Sequence, residues 1–321
     1  MKHILFESLV LTTIFAAGAY AAQGDGMGLQ PGVLPTSWIT GGPNCATVPD
    51  WQIHEYNEDF YILRESGCTN YEKPFLYLIF GQDKAILEDT GAGAGVQTAP
   101  FVADLLTKWA KKKGRAGAVP LIVIHSHGHG DHTSGDKGFQ AMANVQFVAA
   151  TPEDVQKAAG IAKWPTDLGT IELGNRTLDV IPIPGHHTAS IAIYDRLTGN
   201  LLTGDSLYPG RLYAPEDAWQ DYAASAQRLA DFVLAHPIAH VLGTHIEQSR
   251  IAYADYPTGT TYQPNEHVLE LTRAHVLELN QAFLNQQGKP AVVSLPDFTL
   301  MARPQRAARP AGAAAKGPGT N

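Results

Sequence analysis

Residues 125–132 read His-Ser-His-Gly-His-Gly-Asp-His, four histidines and an aspartate in eight positions. Ionisable side chains this dense are costly to bury unless a cation compensates them. Imidazole and carboxylate donors at such spacing suit a metal ion. His125, His127 and His129 alternate, so an extended segment would place them on one side. Alternation alone does not select the ligands. Asp131 and His132 add two adjacent donors, giving His-x-His-x-Asp-His over 127–132, with Gly128 and Gly130 letting the loop curl round an ion. Three later apolar runs each end on a further donor: His186 after "DVIPIPG", Asp205 after "NLLTG" and His245 after "HVLGT".

Such donors need strands to aim them. "VPLIVIHSH", residues 119–127, is a continuous apolar, β-branched run of the kind buried in a sheet, and it leads straight into the histidine loop. Upstream, "WQIHEYNEDFYILRE" (51–65) and "FLYLIFGQDKAILEDTG" (75–91) read as hairpins about Asn57-Glu58 and Gly81-Gln82-Asp83. Further hairpins are expected at Gly174-Asn175 and Thr198-Gly199-Asn200, with strands at "VQFVAA" and 238–243. Helices are expected over 99–113, from Pro152 behind an N-capping Thr151, over 216–235 and over 264–286. Strands followed by helices in two halves fit two mixed sheets packed face to face between helical layers.

The chain has 321 residues, 44% hydrophobic, with a formal charge of −8. Its size suits a packed core, and its charge gives no reason to expect nucleic acid or a membrane surface as a partner. Residues 1–21 have a basic start, an apolar stretch from Leu9 to Ala17 and the small-residue pattern Ala19-Tyr20-Ala21, and they read as a cleaved secretory leader. The expected location is periplasmic or extracellular. There Cys45 and Cys68 would pair, closing a loop worth on the order of 3 kcal/mol; in a reducing compartment they would be two free thiols. Residues 22–71 read as an N-terminal arm and hairpin packed on a domain spanning 72–302, and 303–321 as a disordered tail.

Across roughly residues 72–300 the chain resembles the metallo-β-lactamase-fold hydrolases. The resemblance is carried by Glu88-Asp89-Thr90-Gly91, the His-x-His-x-Asp-His loop, Pro184-Gly185-His186, Gly204-Asp205 and His245, in the family's order. It implies an α+β fold, a four-layer αββα sandwich of two mixed β-sheets flanked by helices, with a dinuclear metal site at one edge. His127, His129 and His186 would hold one ion; Asp131, His132 and His245 would hold the other, with Asp205 bridging. Asp89 would orient the loop. Two zinc ions are the expected cofactors, with iron or manganese the alternatives on similar ligands. His125 and His187 fall outside the family's pattern and are either packed or substrate-facing.

Zinc is redox-inert and lowers the pKa of bound water to about 7, so the expected reaction is hydrolysis by a metal-bound hydroxide. An aspartate at 205 resembles the relatives that cleave lactones, thioesters and phosphoesters more than the β-lactamases. Tyr208 stands three residues after it, an offset found in quorum-signal lactonases, where such a hydroxyl can donate to the substrate carbonyl or leaving oxygen. In this reading Tyr208 and Asp131 are catalytic and the substrate is a small carboxylic ester, foremost a lactone; otherwise Tyr208 packs against a helix. Tyr213 and Trp219 would line the pocket. The competing readings are a β-lactamase, a thioester or phosphoester hydrolase, and a zinc-binding protein without catalysis.

Overall fold

The structure is a computed structural model and describes residues 28–93 and 97–304. The expected leader and nearly all of the expected tail lie outside the described residues. The apolar runs named above pair into one six-stranded sheet in chain order: β1 (Trp51–Asn57), β2 (Phe60–Glu65), β3 (Phe75–Phe80), β4 (Ala85–Glu88), β5 (Leu121–Ile124) and β6 (Val145–Phe147). The first three pairings are antiparallel and the last two parallel. Between β4 and β5 the chain crosses over through α1 (Thr98–Lys112), as a parallel neighbour requires.

The second half builds another six-stranded sheet from β7 (Gly169–Glu172), β8 (Thr177–Pro182), β9 (Ile191–Asp195), β10 (Asn200–Gly204), β12 (His240–Gly243) and β13 (Glu270–Leu271). Here β10 and β12 are parallel, joined through α5 (Trp219–Ala235). A smaller sheet sets β11 (Arg211–Pro215) parallel to β15 (Thr299–Arg303), which pairs with β14 (Val292–Ser294).

Three apolar cores show how the layers stack. Phe60, Ile62, Tyr77 and Ile124 from the first sheet meet Val180, Ile193 and Leu202 from the second in one buried cluster between the sheets. Leu76, Leu78 and Leu87 face the other way, onto Val102, Leu106 and Trp109 of α1. On the far side Ile181, Ala192 and Tyr194 pack against α5 and α6 (Arg273–Asn285). The expected αββα arrangement is therefore the observed one. No helix among the described residues is long and apolar enough to cross a membrane.

Three boundaries differ from expectation. Hairpin β1–β2 is the edge of the first sheet itself, because β2 pairs with β3 from Phe60↔Ile79 to Arg64↔Phe75 across the expected boundary at residue 71. The last helix begins at Arg273, not 264: Thr272 caps it, with its backbone N–H donating to His275 Nδ1 at 3.0 Å, and Glu270–Leu271 are drawn into β13 opposite Leu242 and Val241. Arg303 belongs to β15 rather than to a tail. From residue 28 the chain runs along the first sheet, with Val33 N–H donating to the Tyr56 carbonyl and Trp38 set edge-on to Phe75. Cys45 and Cys68 form a disulfide.

Candidate metal centre

All seven expected donors lie at one edge of the sandwich, where β5, β8, β10 and β12 end. The buried run Leu121–Ile124 delivers the loop that becomes α2 (Gly130–Thr133), so His127, His129, Asp131 and His132 come from the first sheet. His186, Asp205 and His245 follow strands of the second.

The donor atoms form two groups, each within 4.8 Å throughout: His127, His129, His186 and Asp205, and then Asp131, His132, Asp205 and His245. In the first, His129 Nδ1 is 2.9 Å from His127 Nε2 and 3.1 Å from His186 Nε2, and Asp205 Oδ2 is 3.7 and 3.4 Å from those two Nε2 atoms. In the second, Asp131 Oδ2 is 3.2 Å from His132 Nε2 and 3.3 Å from His245 Nε2, with Asp205 Oδ1 at 3.5 and 3.3 Å. Tetrahedral donors about 2.0–2.1 Å from zinc stand roughly 3.3 Å apart. These spacings fit.

The ring tautomers make the same case. Ser126 Oγ donates to Asp89, so it accepts from His127 Nδ1. His132 Nδ1 donates to Asp89 at 2.7 Å, His186 Nδ1 to the Tyr213 carbonyl and His245 Nδ1 to the Glu72 carbonyl, both at 2.9 Å. With each outer nitrogen holding the proton, each Nε2 turns a lone pair inward. His132 and His245 thus oppose lone pairs at 3.3 Å. A cation between them relieves that contact, as does a proton on either Nε2 shared with Asp131 or Asp205.

Burial pushes His127, His129 and His186 below the ordinary histidine range, which keeps these rings neutral as ligands must be. Burial acts the same way at His132 and His245, but there the carboxylates of Asp131 and Asp205 prevail and raise both. Asp205 is held well below the carboxylate range by His245, His132 and His127 in spite of its burial. Thr244 Oγ1 also donates to it.

Asp89 plays the orienting part expected of it. Its carboxylate accepts from Ser126 N and Ser126 Oγ, both at 2.8 Å, and from His132 Nδ1, while its own backbone stands at φ 69°. Aspartate tolerates that left-handed conformation better than most residues. His125 is a packed residue: its Nδ1 meets the Val148 carbonyl at 3.2 Å and its Nε2 meets Asp136 at 2.9 Å, behind the loop. His187 is half-buried, accepts from Ala189 N at Nδ1 and lies 5.3 Å from the His129 ring. A side chain at Gly128 would strike it, since a Cβ there would sit 2.9 Å from His187 Cε1.

Two expectations are corrected. Tyr208 stands edge-on to the His245 ring, 5.5 Å between centroids, but its hydroxyl is engaged elsewhere, donating to the Arg211 carbonyl at 2.6 Å and lying 3.1 Å from Glu247 Oε2. Gly243 allows the close approach, because a Cβ there would be 2.4 Å from Tyr208 Cβ. Trp219 is buried against Phe283 in the helical core rather than standing open to the site. Tyr213 does stand beside the centre, through its backbone carbonyl. The carbonyls of Glu72 and Tyr213 were not visible beforehand, because any residue type supplies one. Ser126 lay inside the histidine run and was legible only as a spacer.

The sequence profile of the metallo-beta-lactamase superfamily matches residues 73–236. Among curated proteins, the chain is 25% identical over 227 residues to the acyl-coenzyme A thioesterase MBLAC2 of Homo sapiens, covering 61% of this chain and 81% of that one. It is 30% identical over 136 residues to a hydroxyacylglutathione hydrolase of Erythrobacter litoralis, covering 41% and 51%. Among solved structures, a metallo-beta-lactamase from Pontibacter korlensis aligns with 74% of this chain and all of its own, at 15% identity and a TM-score of 0.48. A profile spanning just over half of the chain, and reaching from the strand before Asp89 past Asp205, makes this protein a hydrolase of the metallo-beta-lactamase superfamily, whose members bind metal ions.

Proposed function

We propose that this chain is an exported acyl hydrolase that binds two divalent cations, zinc foremost, through His127, His129, His186, Asp205 and through Asp131, His132, His245, Asp205. The observation that carries the reading is Asp205, whose two oxygens face separate donor groups. Divalent cations held there supply Lewis acidity, polarising a carbonyl and making water a nucleophile at neutral pH. The chain's own part is orientation and proton handling. Asp89, Tyr213 and Glu72 hold the imidazoles in the ligating tautomer. The Asp131 side chain, 22% exposed beside His132 and His245, is the carboxylate placed to take the proton of the attacking water and return it to the leaving atom.

Thioesters are the substrates we favour, on the strength of the named activities of the two curated relatives. A lactone is the second reading. Its support is the expected leader at residues 1–21, since the common thioester carriers are made inside the cell, but it loses the Tyr208 hydroxyl. The test compares the zinc-loaded mature protein on an acyl thioester, an acyl lactone, a cephalosporin and a phosphodiester, with Asp205→Asn as the blank. Thioester or lactone turnover that the variant lacks supports the reading; cephalosporin as the best substrate, or no turnover at all, rejects it. Export is tested separately by the N-terminus of the secreted protein, expected at Ala22.

A further inference from the structure

A cavity of about 460 Å³ lies outside the metal centre, and none of the seven donors lines it. One wall is the segment 35–41 with residues 47–49, anchored through the Cys45–Cys68 disulfide to the loop after β2. The other is the segment 262–270 with Arg250. Arg250 Nη2 crosses between the two and donates to the Thr36 carbonyl at 3.3 Å. Small-molecule sites have volumes of roughly 300–1,000 Å³, so the space is large enough for an organic ligand.

The walls carry donors and acceptors that the protein itself leaves unpaired. Gln263 Oε1 and Glu266 Oε1 are buried with no donor, a costly state that a ligand hydroxyl relieves. Trp38 is 8% exposed, and its indole N–H makes no hydrogen bond among the described residues. Tyr262, 44% exposed, adds a second ring. Charge is mixed. Buried Arg64 places Nη2 3.3 Å from the Glu266 carboxyl and buried Lys73 acts on the same group, while Arg250 and Glu270 line the cavity. Neither an ammonium nor a carboxylate ligand finds a field of one sign there. A hydroxyl both donates and accepts without bringing a charge, and the C–H face of a sugar ring packs on an aromatic one.

We propose that this cavity is a saccharide-binding site. It takes a neutral mono- or disaccharide against Trp38 and Tyr262, with Gln263 and Glu266 accepting from the sugar hydroxyls and Arg250 and the Trp38 indole donating to them. The site is separate from the metal centre, so it stands or falls independently of the acyl-hydrolase reading.

The zinc-loaded full chain is titrated with D-glucose, maltose and N,N′-diacetylchitobiose, and with choline and succinate as ionic probes, by calorimetry and saturation-transfer NMR. At least one saccharide is expected to bind roughly tenfold or more tightly than either ion. Tyr262→Ala and Arg250→Ala, both at exposed positions, should each weaken that binding by about fivefold or more, with zinc content and unfolding midpoint confirming that each variant is folded. Asp205→Asn, which alters the metal centre, should leave it unchanged. The proposal is overturned if no saccharide outbinds both ions, if the binding survives both surface substitutions, or if Asp205→Asn abolishes it and so places the sugar at the metal centre. Failure of the parent protein to hydrolyse any acyl substrate, with saccharide binding intact, would instead sink the acyl-hydrolase reading alone.

Discussion

Asp89 and His132, 43 residues apart in sequence, meet through a 2.7 Å hydrogen bond in which the imidazole Nδ1 donates. The same carboxylate takes both hydrogen bonds from Ser126, so one side chain sets a ring of the second donor group and the turn that carries it.

Removing that carboxylate should weaken metal binding in the second donor group more than in the first. Asp89→Ala is expected to cost roughly 10- to 100-fold in affinity for the second equivalent of zinc. Asp89→Asn keeps a residue that tolerates the left-handed backbone and should fold better, yet still lose second-equivalent affinity. Zinc titration of both variants against competing chelator measures this; equal affinity for both equivalents would show that Asp89 serves the fold only.

Tyr208→Phe distinguishes packing from catalysis. With the hydroxyl committed to the Arg211 carbonyl and close to Glu247, its loss should lower stability by about 1–2 kcal/mol and change kcat by less than about threefold. A hundredfold fall in kcat with unchanged stability would return the hydroxyl to the reaction.

Stability should also depend on Glu266. Burial outweighs the nearby Arg64 and Lys73 and raises its carboxyl from about 4.5 to about 7, with Arg64 Nη2 3.3 Å away. A folded-state value above the unfolded one favours the protonated form in the fold. The contribution is therefore complete below pH 4.5 and is lost as pH rises through 7, at up to about 1.4 kcal/mol per pH unit. Urea unfolding between pH 4.5 and 8 should show this slope, and Glu266→Gln should flatten it. An unchanged slope would assign the effect to other groups.

Opening the disulfide tests the arm. Cys45 and Cys68 are 23 positions apart, and the double substitution Cys45→Ser, Cys68→Ser is expected to cost about 3 kcal/mol through the unfolded chain. The loop after Cys68 carries Glu72, whose carbonyl orients His245, so zinc affinity of the second group should fall as well. Unchanged urea unfolding would mean that the arm is held by Trp38 and its neighbours alone.

Legibility followed the chemistry of the signal. Donor side chains at strand ends announce themselves, because histidine and aspartate after an apolar run have few structural uses, and every one of the seven reached the centre. Asp89 was equally readable, sitting in a short motif on the strand beside the loop. Direction was not readable. Tyr208 sits at a suggestive offset, yet its hydroxyl is engaged by the Arg211 carbonyl and by Glu247, the latter more than thirty residues later. Helix α6 illustrates a third kind of miss: residues 264–272 carry apolar spacing that a helix could use, but Leu269 and Leu271 are buried and Leu271 pairs with β12 instead. The short strands of the third sheet lacked a signal strong enough to read, with Val292 largely exposed and Ser294 at one end.

The division of donors between two sheets gives the centre a place in time. During synthesis the loop at 127–132 precedes His245 by 113 residues, so the early donors emerge with their partners still unmade. A chain stopped before residue 245 carries the whole first group and lacks only His245 of the second, which it cannot close. An ion in the second group would thus report that the chain is made past His245 and that the two sheets have come together, a rivet set only after both plates are in place.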